Sequence, residues 1–71
     1  MNTITKEEIH VLGFLGEKGG MKAGSFTNAL IDAIFKADHE HLGKLHTVYP
    51  EYVDAVKSWM YGDLAERAGI V

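Results

Sequence analysis

The stretch Gly24–Asp38, GSFTNALIDAIFKAD, decides the fold of this chain. In helical register its polar side chains fall on one narrow stripe, formed by Asn28, Asp32 and Lys36. The other positions are nearly all apolar: Phe26, Leu30, Ile34 and Ala37 on one ridge, Ile31 and Phe35 beside it, and Ala29 and Ala33 between. A helix with so narrow a polar face is covered on most sides, so the pattern predicts the central helix of a small helical domain. It also predicts deep burial of Leu30, Ile34 and Phe35.

Another helix is predicted ahead of this stretch, because Thr5 and Glu8 have the spacing of a capping box. The residues predicted to face inward are Ile9, Val11, Leu12, Phe14 and Leu15. Gly13 and Gly16 weaken a helix, so they indicate a close approach by a second helix. The pair Gly19-Gly20 is predicted to end it.

Cap and boundary residues place the next helices. Ser25 is predicted to cap the central helix, and Asp38 to cap a short third helix over 39–46. Pro50 suits the first turn of a fourth helix, which is predicted to run to about Tyr61.

The end of the chain carries a second capping-box spacing, between Asp63 and Glu66, which predicts a last helical turn. The fold class is therefore predicted as all-α, a small bundle of four main helices plus a short C-terminal helical turn. A chain of 71 residues is expected to be a single helical domain over 1–71. Because it has no cysteine, its stability must come from good packing, from a metal site built of histidines and carboxylates, or from a partner subunit, rather than from disulfides.

The charge pattern argues against nucleic acid as a partner. The formal net charge is −3, and Arg67 is the only arginine. Helices three and four would resemble a helix-turn-helix reader, but Glu51 and Asp54 would then face phosphates. No segment approaches the roughly 20 apolar residues of a membrane span, and residues 1–8 do not read as a signal peptide. A cytoplasmic protein is expected.

Histidines near the middle of the chain are the candidates for a metal site. The possible ligands are Asp38, His39, His41 and His46. His39 and His41 are two residues apart on a helix, so their side chains diverge. Asp38 and His41 are better spaced, yet that spacing is also typical of an N-cap beside an exposed imidazole. The pattern favours a solvated helix surface, and no metal or cofactor is predicted.

The glycine-rich linker over 16–24, with Lys18 and Lys22, precedes a helix N-terminus and has the composition of an anion cradle. It lacks the Gly-Lys-Ser/Thr sequence of a P-loop and no strand precedes it, so a plain linker is favoured. The only serines, Ser25 and Ser58, stand outside any nucleophile-elbow motif. The sequence therefore predicts that the protein is not an enzyme.

Aromatic residues crowd the fourth helix and predict an interface there. That helix carries two apolar ridges, and the core of so small a domain is expected to cover only one of them. The predicted interface residues are Tyr49, Tyr52, Val56, Trp59 and Met60. A two-fold homodimer is the commonest way to bury such a face.

Three segments together resemble a recurrent pattern: Gly24-Ser25-Phe26-Thr27-Asn28-Ala29-Leu30, then Phe35-Lys36-Ala37-Asp38, then Leu45 with Tyr49-Pro50-Glu51-Tyr52-Val53. The pattern is similar to that of short all-helical proteins encoded by bacteriophages and related bacterial mobile elements. The resemblance covers roughly Gly24 to Trp59. It implies a helical fold, and it brings no catalytic residue with it.

The function expected from the sequence is that of a small acidic intracellular protein-interaction module, related to phages or mobile elements. It would act by binding itself or a host protein, with no nucleic acid and no membrane as partner. The alternative is a regulatory protein that binds a metal or small ligand through the region of His39, His41 and His46.

Overall fold

The computed structural model describes residues 3–70 and consists of helices joined by short connections. In chain order the helices are α1 Lys6–Leu15, α2 Ser25–Lys36, α3 His39–Val48, α4 Pro50–Met60 and α5 Leu64–Arg67. The predicted all-α fold is confirmed, with four main helices, a short C-terminal helix and no strand within residues 3–70. Over the same residues, no helix combines the length and the apolar character that crossing a bilayer requires.

Helix α4, rather than α2, is the element around which the others pack, and this corrects the prediction. Helix α4 contacts α1, α2, α3 and α5, and its Val53 and Val56 are almost completely buried. Helix α2 packs against α1 and α4, and leaves Phe26 65% exposed. Alanines made α2 look apolar on most sides, but Ala29 and Ala33 are exposed. A methyl group gains little from burial, so alanine does not force a helix face inward.

The core lies where the helices meet on α4. Its buried apolar residues are Val11 and Leu12 of α1, Leu30, Ile31 and Ile34 of α2, Val53, Ala55 and Val56 of α4, and Leu64 of α5. The predicted burial of Leu30 and Ile34 is confirmed. Phe35 is only half-buried, because its ring stacks on that of Phe14 with centroids 5.9 Å apart instead of entering the centre.

The predicted capping box at the start of α1 is confirmed. The Glu8 backbone N–H donates to Thr5 Oγ1 over 3.1 Å, and the Thr5 N–H donates to Glu8 Oε1 over 3.0 Å. The helix ends earlier than predicted, at Gly16 rather than at Gly19-Gly20. Gly16 adopts the left-handed conformation, with φ 71°, which glycine reaches without a Cβ penalty.

The remaining caps are partly as predicted. Asp38 caps α3, accepting a hydrogen bond from the His41 N–H over 2.8 Å. Gly24 is the N-cap of α2, so Ser25 is its first helical residue and not its cap. Asp63 makes no capping hydrogen bond at α5. Its carboxylate accepts from an arginine one turn later instead, so the second capping box is not formed.

A buried ion pair joins α5 to the start of α1. Arg67 donates from Nη1 to Glu8 Oε1 over 2.9 Å and from Nη2 to Oε2 over 2.6 Å. Nη1 also donates to the Thr3 carbonyl and Nε to Asp63. Glu8 is only 5% exposed. The guanidinium outweighs the opposing effect of burial, and it lowers the pKa of Glu8 from 4.5 to about 2.

The linker after α1 crosses back over that helix at two glycines. The Met21 N–H donates to the Ile9 carbonyl over 3.2 Å. A Cβ on Gly13 would overlap the main chain of Met21, and a Cβ on Gly20 would overlap the main chain of Gly13. The predicted close approach at Gly13 is therefore present, but the approaching segment is the linker and not another helix.

Replacing Thr5 with alanine should lower the free energy of unfolding by about 1 kcal/mol, because the Glu8 N–H loses its acceptor. Thr3→Ala is the matched control. It makes the same change at an exposed threonine that lies outside the capping box, and it should alter stability by less than about 0.5 kcal/mol. Urea unfolding of both variants gives the two values. Equal losses in the two variants would contradict the capping role of Thr5.

Candidate docking surface

An apolar groove lies between α2 and α3, which are joined at a break in the helical backbone. Ala37 has an extended backbone, with φ −66° and ψ 138°, so α2 ends there, and Asp38 starts α3. Both helices pack on α4. The groove between them holds about 510 Å³ and is open to solvent.

Apolar side chains dominate this space, which we call the α2–α3 groove. Its lining consists of four apolar residues and three basic ones: Ala33, Ala37, Leu45 and Val48, with Lys36, His41 and Lys44. Val48 is 66% exposed, although valine is among the residue types most often buried. An apolar hollow with a few polar groups at its margin is the common form of a binding site.

Each basic residue of the groove contacts an acidic side chain on its own helix or at the N-cap of that helix. The contacts are Lys36 Nζ to Asp32 Oδ2 at 3.0 Å, Lys44 Nζ to Glu40 Oε2 at 3.3 Å, and His41 Nδ1 to Asp38 Oδ1 at 2.8 Å. The His41 backbone N–H, followed by its imidazole, lowers the pKa of Asp38. None of the three acids lines the groove, so the polar groups at its margin are those of Lys36, His41 and Lys44.

An exposed stripe of α2 continues the groove toward the N-terminus of that helix. The stripe consists of Phe26, Ala29 and Ala33, which are spaced three and four residues apart and therefore share one helix face. The Phe26 ring lies 6.1 Å from the ring of Tyr49, at the junction of α3 and α4, and most of it stays in solvent. A large aromatic side chain thus stands at one end of the stripe, small residues lie in the middle, and the groove lies at the other end.

The interface predicted on α4 is mostly covered by the protein itself. Val56 is 1% exposed and belongs to the core, so it is not presented to a partner. Tyr49 and Trp59 are half-buried against the core. Only Met60, 46% exposed, is largely free among the five residues of that prediction. Both ridges of α4 carry core residues, Val53 and Val56 on one and Ala55 on the other, so the core is not confined to one ridge.

Tyr52, the remaining member of that predicted interface, pairs with His10 of α1. Its hydroxyl lies 2.8 Å from His10 Nδ1, and the two rings stack with centroids 6.1 Å apart. Burial, with a smaller contribution from the negative charge of Glu7, raises the pKa of the Tyr52 hydroxyl. Tyr52 therefore holds α1 to α4 within the monomer.

The metal candidates are divided between two faces of α3. Asp38 and His41 pair with each other on the side of the α2–α3 groove. His46 instead contacts Asp54 of α4, with His46 Nε2 3.0 Å from Asp54 Oδ1, and it shares a separate hollow with His39. Within residues 3–70 no group of three or more histidines and carboxylates converges on a possible ion.

No protein-family model matches the chain, and no curated protein or solved structure matches it significantly. The resemblance to phage-encoded helical proteins over Gly24–Trp59 therefore stays a prediction.

Proposed function

We propose that this protein is a small interaction module that acts by binding protein through the α2–α3 groove and the α2 stripe. The observation that supports this most strongly is the exposure of Phe26 and Val48, 65% and 66%, because the Phe26 ring lies against Tyr49, the residue that follows Val48. Leaving two such side chains in water forgoes burial worth about 1.5–3 kcal/mol each. Contiguous exposed apolar surface of this kind marks a binding face.

The shape of the surface favours a helical segment as the bound element. An amphipathic helix binds a groove between two helices by inserting apolar side chains spaced three and four residues apart. Lys36 and Lys44 at the margin of the groove favour aromatic or acidic groups beside those anchors. The proposed role is binding and not catalysis, because Ser25 and Ser58 stand outside any nucleophile motif.

An origin in a phage or mobile element, and action inside the cell, form part of the proposal and are supported by the sequence resemblance over Gly24–Trp59. Sequencing the genes that flank this one tests the origin. Neighbouring integrase, capsid or replication genes are expected, and a neighbourhood of housekeeping genes would count against it.

A comparison of two charged variants tests the docking surface. Ala33→Glu puts a negative charge in the groove, and Met60→Glu puts one on the exposed end of α4. Each tagged variant and the parent chain is used to capture proteins from a lysate of the source cells, and mass spectrometry quantifies them. We expect the parent and Met60→Glu to retain the same proteins, and Ala33→Glu to lose them by at least about tenfold.

Thermal unfolding of both variants controls for folding, since both substitutions fall at exposed positions. Retention of the same proteins by all three chains would rule out the groove. If only Met60→Glu loses the captured proteins, the binding surface is the aromatic face of α4, which is the interface that the sequence pattern predicts.

A further inference from the structure

We infer that a second copy of this chain occupies the α2–α3 groove, with Phe26 of each copy inserted into the groove of the other. The inference rests on the proposed function, since it names the occupant of the same surface. A closed two-fold dimer requires one surface that complements itself. Here a ring that is 65% exposed and an open hollow of about 510 Å³ are linked along α2 by the exposed Ala29 and Ala33, of which Ala33 lines the hollow.

Antiparallel pairing of two α2 helices brings the ring and the hollow together. We place the two-fold axis at the height of Ile31 along the helix. Residues that are equally far from Ile31 in sequence, one before it and one after it, then face each other across the axis. Phe26 then lies level with Lys36 of the second copy, each about 7.5 Å from the axis along the helix. Ala29 faces Ala33 of the second copy near the axis. Both alanines are exposed and small, so the helices can approach to about 8 Å.

The chemistry of the groove suits a phenyl ring. Leu45 and Val48 supply apolar contact, and Lys36 and Lys44 line the same space. An ammonium group within about 6 Å of an aromatic face is attracted to it. The central positions of the α2 stripe carry no charge, so like-charge repulsion does not oppose the pairing there.

The size of this contact predicts a weak and reversible dimer. Helix α2 has 12 residues and is about 18 Å long. Two such helices with their groove residues bury on the order of 1,000 Å² in total, the low end for specific complexes. The dimer should therefore form over tens to hundreds of micromolar, about 10–500 μM.

Sedimentation velocity from about 10 μM to about 1 mM measures this equilibrium. The parent should pass from monomer to dimer over this range, and Phe26→Ala and Ala33→Glu should each raise the Kd at least about tenfold. Met60→Glu is the matched control and should leave the Kd unchanged. Because Phe26 is mostly in solvent, Phe26→Ala keeps its core, and circular dichroism checks that it folds.

Disulfide trapping tests the register, which is possible because the chain has no cysteine of its own. Ala29→Cys and Ala33→Cys chains are made separately, mixed, and oxidised in air. The antiparallel pairing predicts that the mixed dimer, in which the disulfide joins the first variant to the second, forms faster than either homodimer. Faster homodimers would indicate parallel helices and would overturn this arrangement.

The outcomes separate this inference from the proposed function. A parent chain that stays monomeric to about 1 mM overturns the inference, while the proposed function stands if groove-dependent capture of other proteins is seen. A dimer that Met60→Glu breaks and Phe26→Ala does not is a dimer through α4, and it also overturns the inference. If the chain neither dimerises nor captures proteins through the groove, both fail.

Discussion

Replacing Arg67 with methionine should lower the free energy of unfolding by about 3–5 kcal/mol. The substitution leaves Glu8, 5% exposed, without the guanidinium that binds both of its carboxylate oxygens. A charge buried without a partner is far more costly than the loss of an exposed ion pair. Such a loss could take most of the stability of a domain of this size. Urea unfolding at neutral pH measures it.

The destabilisation caused by Arg67→Met should depend on pH, and its direction follows from the pKa of Glu8. In the parent, the pKa of Glu8 is lowered from 4.5 to about 2, so its contribution is complete above pH 4.5 and is lost as the pH falls toward 2. A shift of that size corresponds to about 3 kcal/mol. Without Arg67, the largest cause of this lowering is gone, so the pKa of Glu8 rises from its value in the parent, and protonation relieves the buried charge. The stability difference between parent and variant should therefore begin to shrink at or above pH 4.5 and should be smallest near pH 2.

Two control variants separate charge from geometry. Arg67→Lys keeps the charge but cannot bind both oxygens in parallel, so it should lose less stability than Arg67→Met. Combining Arg67→Met with Glu8→Gln removes the unpaired charge, so the double variant should be more stable than the sum of the two single losses implies. A pH-independent loss, or strict additivity, would show that Arg67 contributes by packing alone.

Replacing Gly13 with alanine should destabilise the protein by about 2 kcal/mol or more, although alanine has the higher helix propensity of the two residues. In an open helix this change stabilises by about 1 kcal/mol. At Gly13 the added methyl overlaps the main chain of Met21, which cannot rotate away as a side chain can. Moving the linker also breaks the hydrogen bond from the Met21 N–H to the Ile9 carbonyl.

Gly43 provides the matched control in the middle of α3. A Cβ built there meets nothing within 4 Å, so Gly43→Ala should raise the free energy of unfolding by about 1 kcal/mol. The same substitution at two helical glycines is thus expected to act in opposite directions. Thermal unfolding of the two variants compares them directly. Stabilisation by both would mean that the linker does not cross α1 at Gly13.

The features that sequence reasoning predicted correctly depend on residues close together in the chain. The capping box of Thr5 and Glu8, and the cap of Asp38 on α3, each involve residues three apart. Pro50 at the first position of α4 acts through its own backbone. Such signals hold in almost any fold, because they satisfy the local hydrogen-bonding needs of a helix end.

Contacts between distant residues do not follow from such local signals. Arg67 and Glu8 are 59 residues apart in the chain, and Glu8 already has a local explanation as part of the capping box. The signal available in the sequence is that Arg67 is the only arginine, which argues against nucleic-acid binding but names no partner within the chain. Its position against α1 follows from the packing of α5 on α4.

The sequence by itself determined that this chain is helical, and it placed the start and end of each helix to within about four residues. Only the tertiary structure decided which helix is central and which apolar faces stay in water. Apolar periodicity reports that a face prefers burial, but not whether neighbouring helices reach it. The valines of α4 are buried, whereas α2 carries the exposed Ala29 and Ala33, whose small side chains tolerate either environment. The groove lies between two helices that are separated by the extended backbone at Ala37 and that each pack on α4, an arrangement of distant residues that local signals do not report.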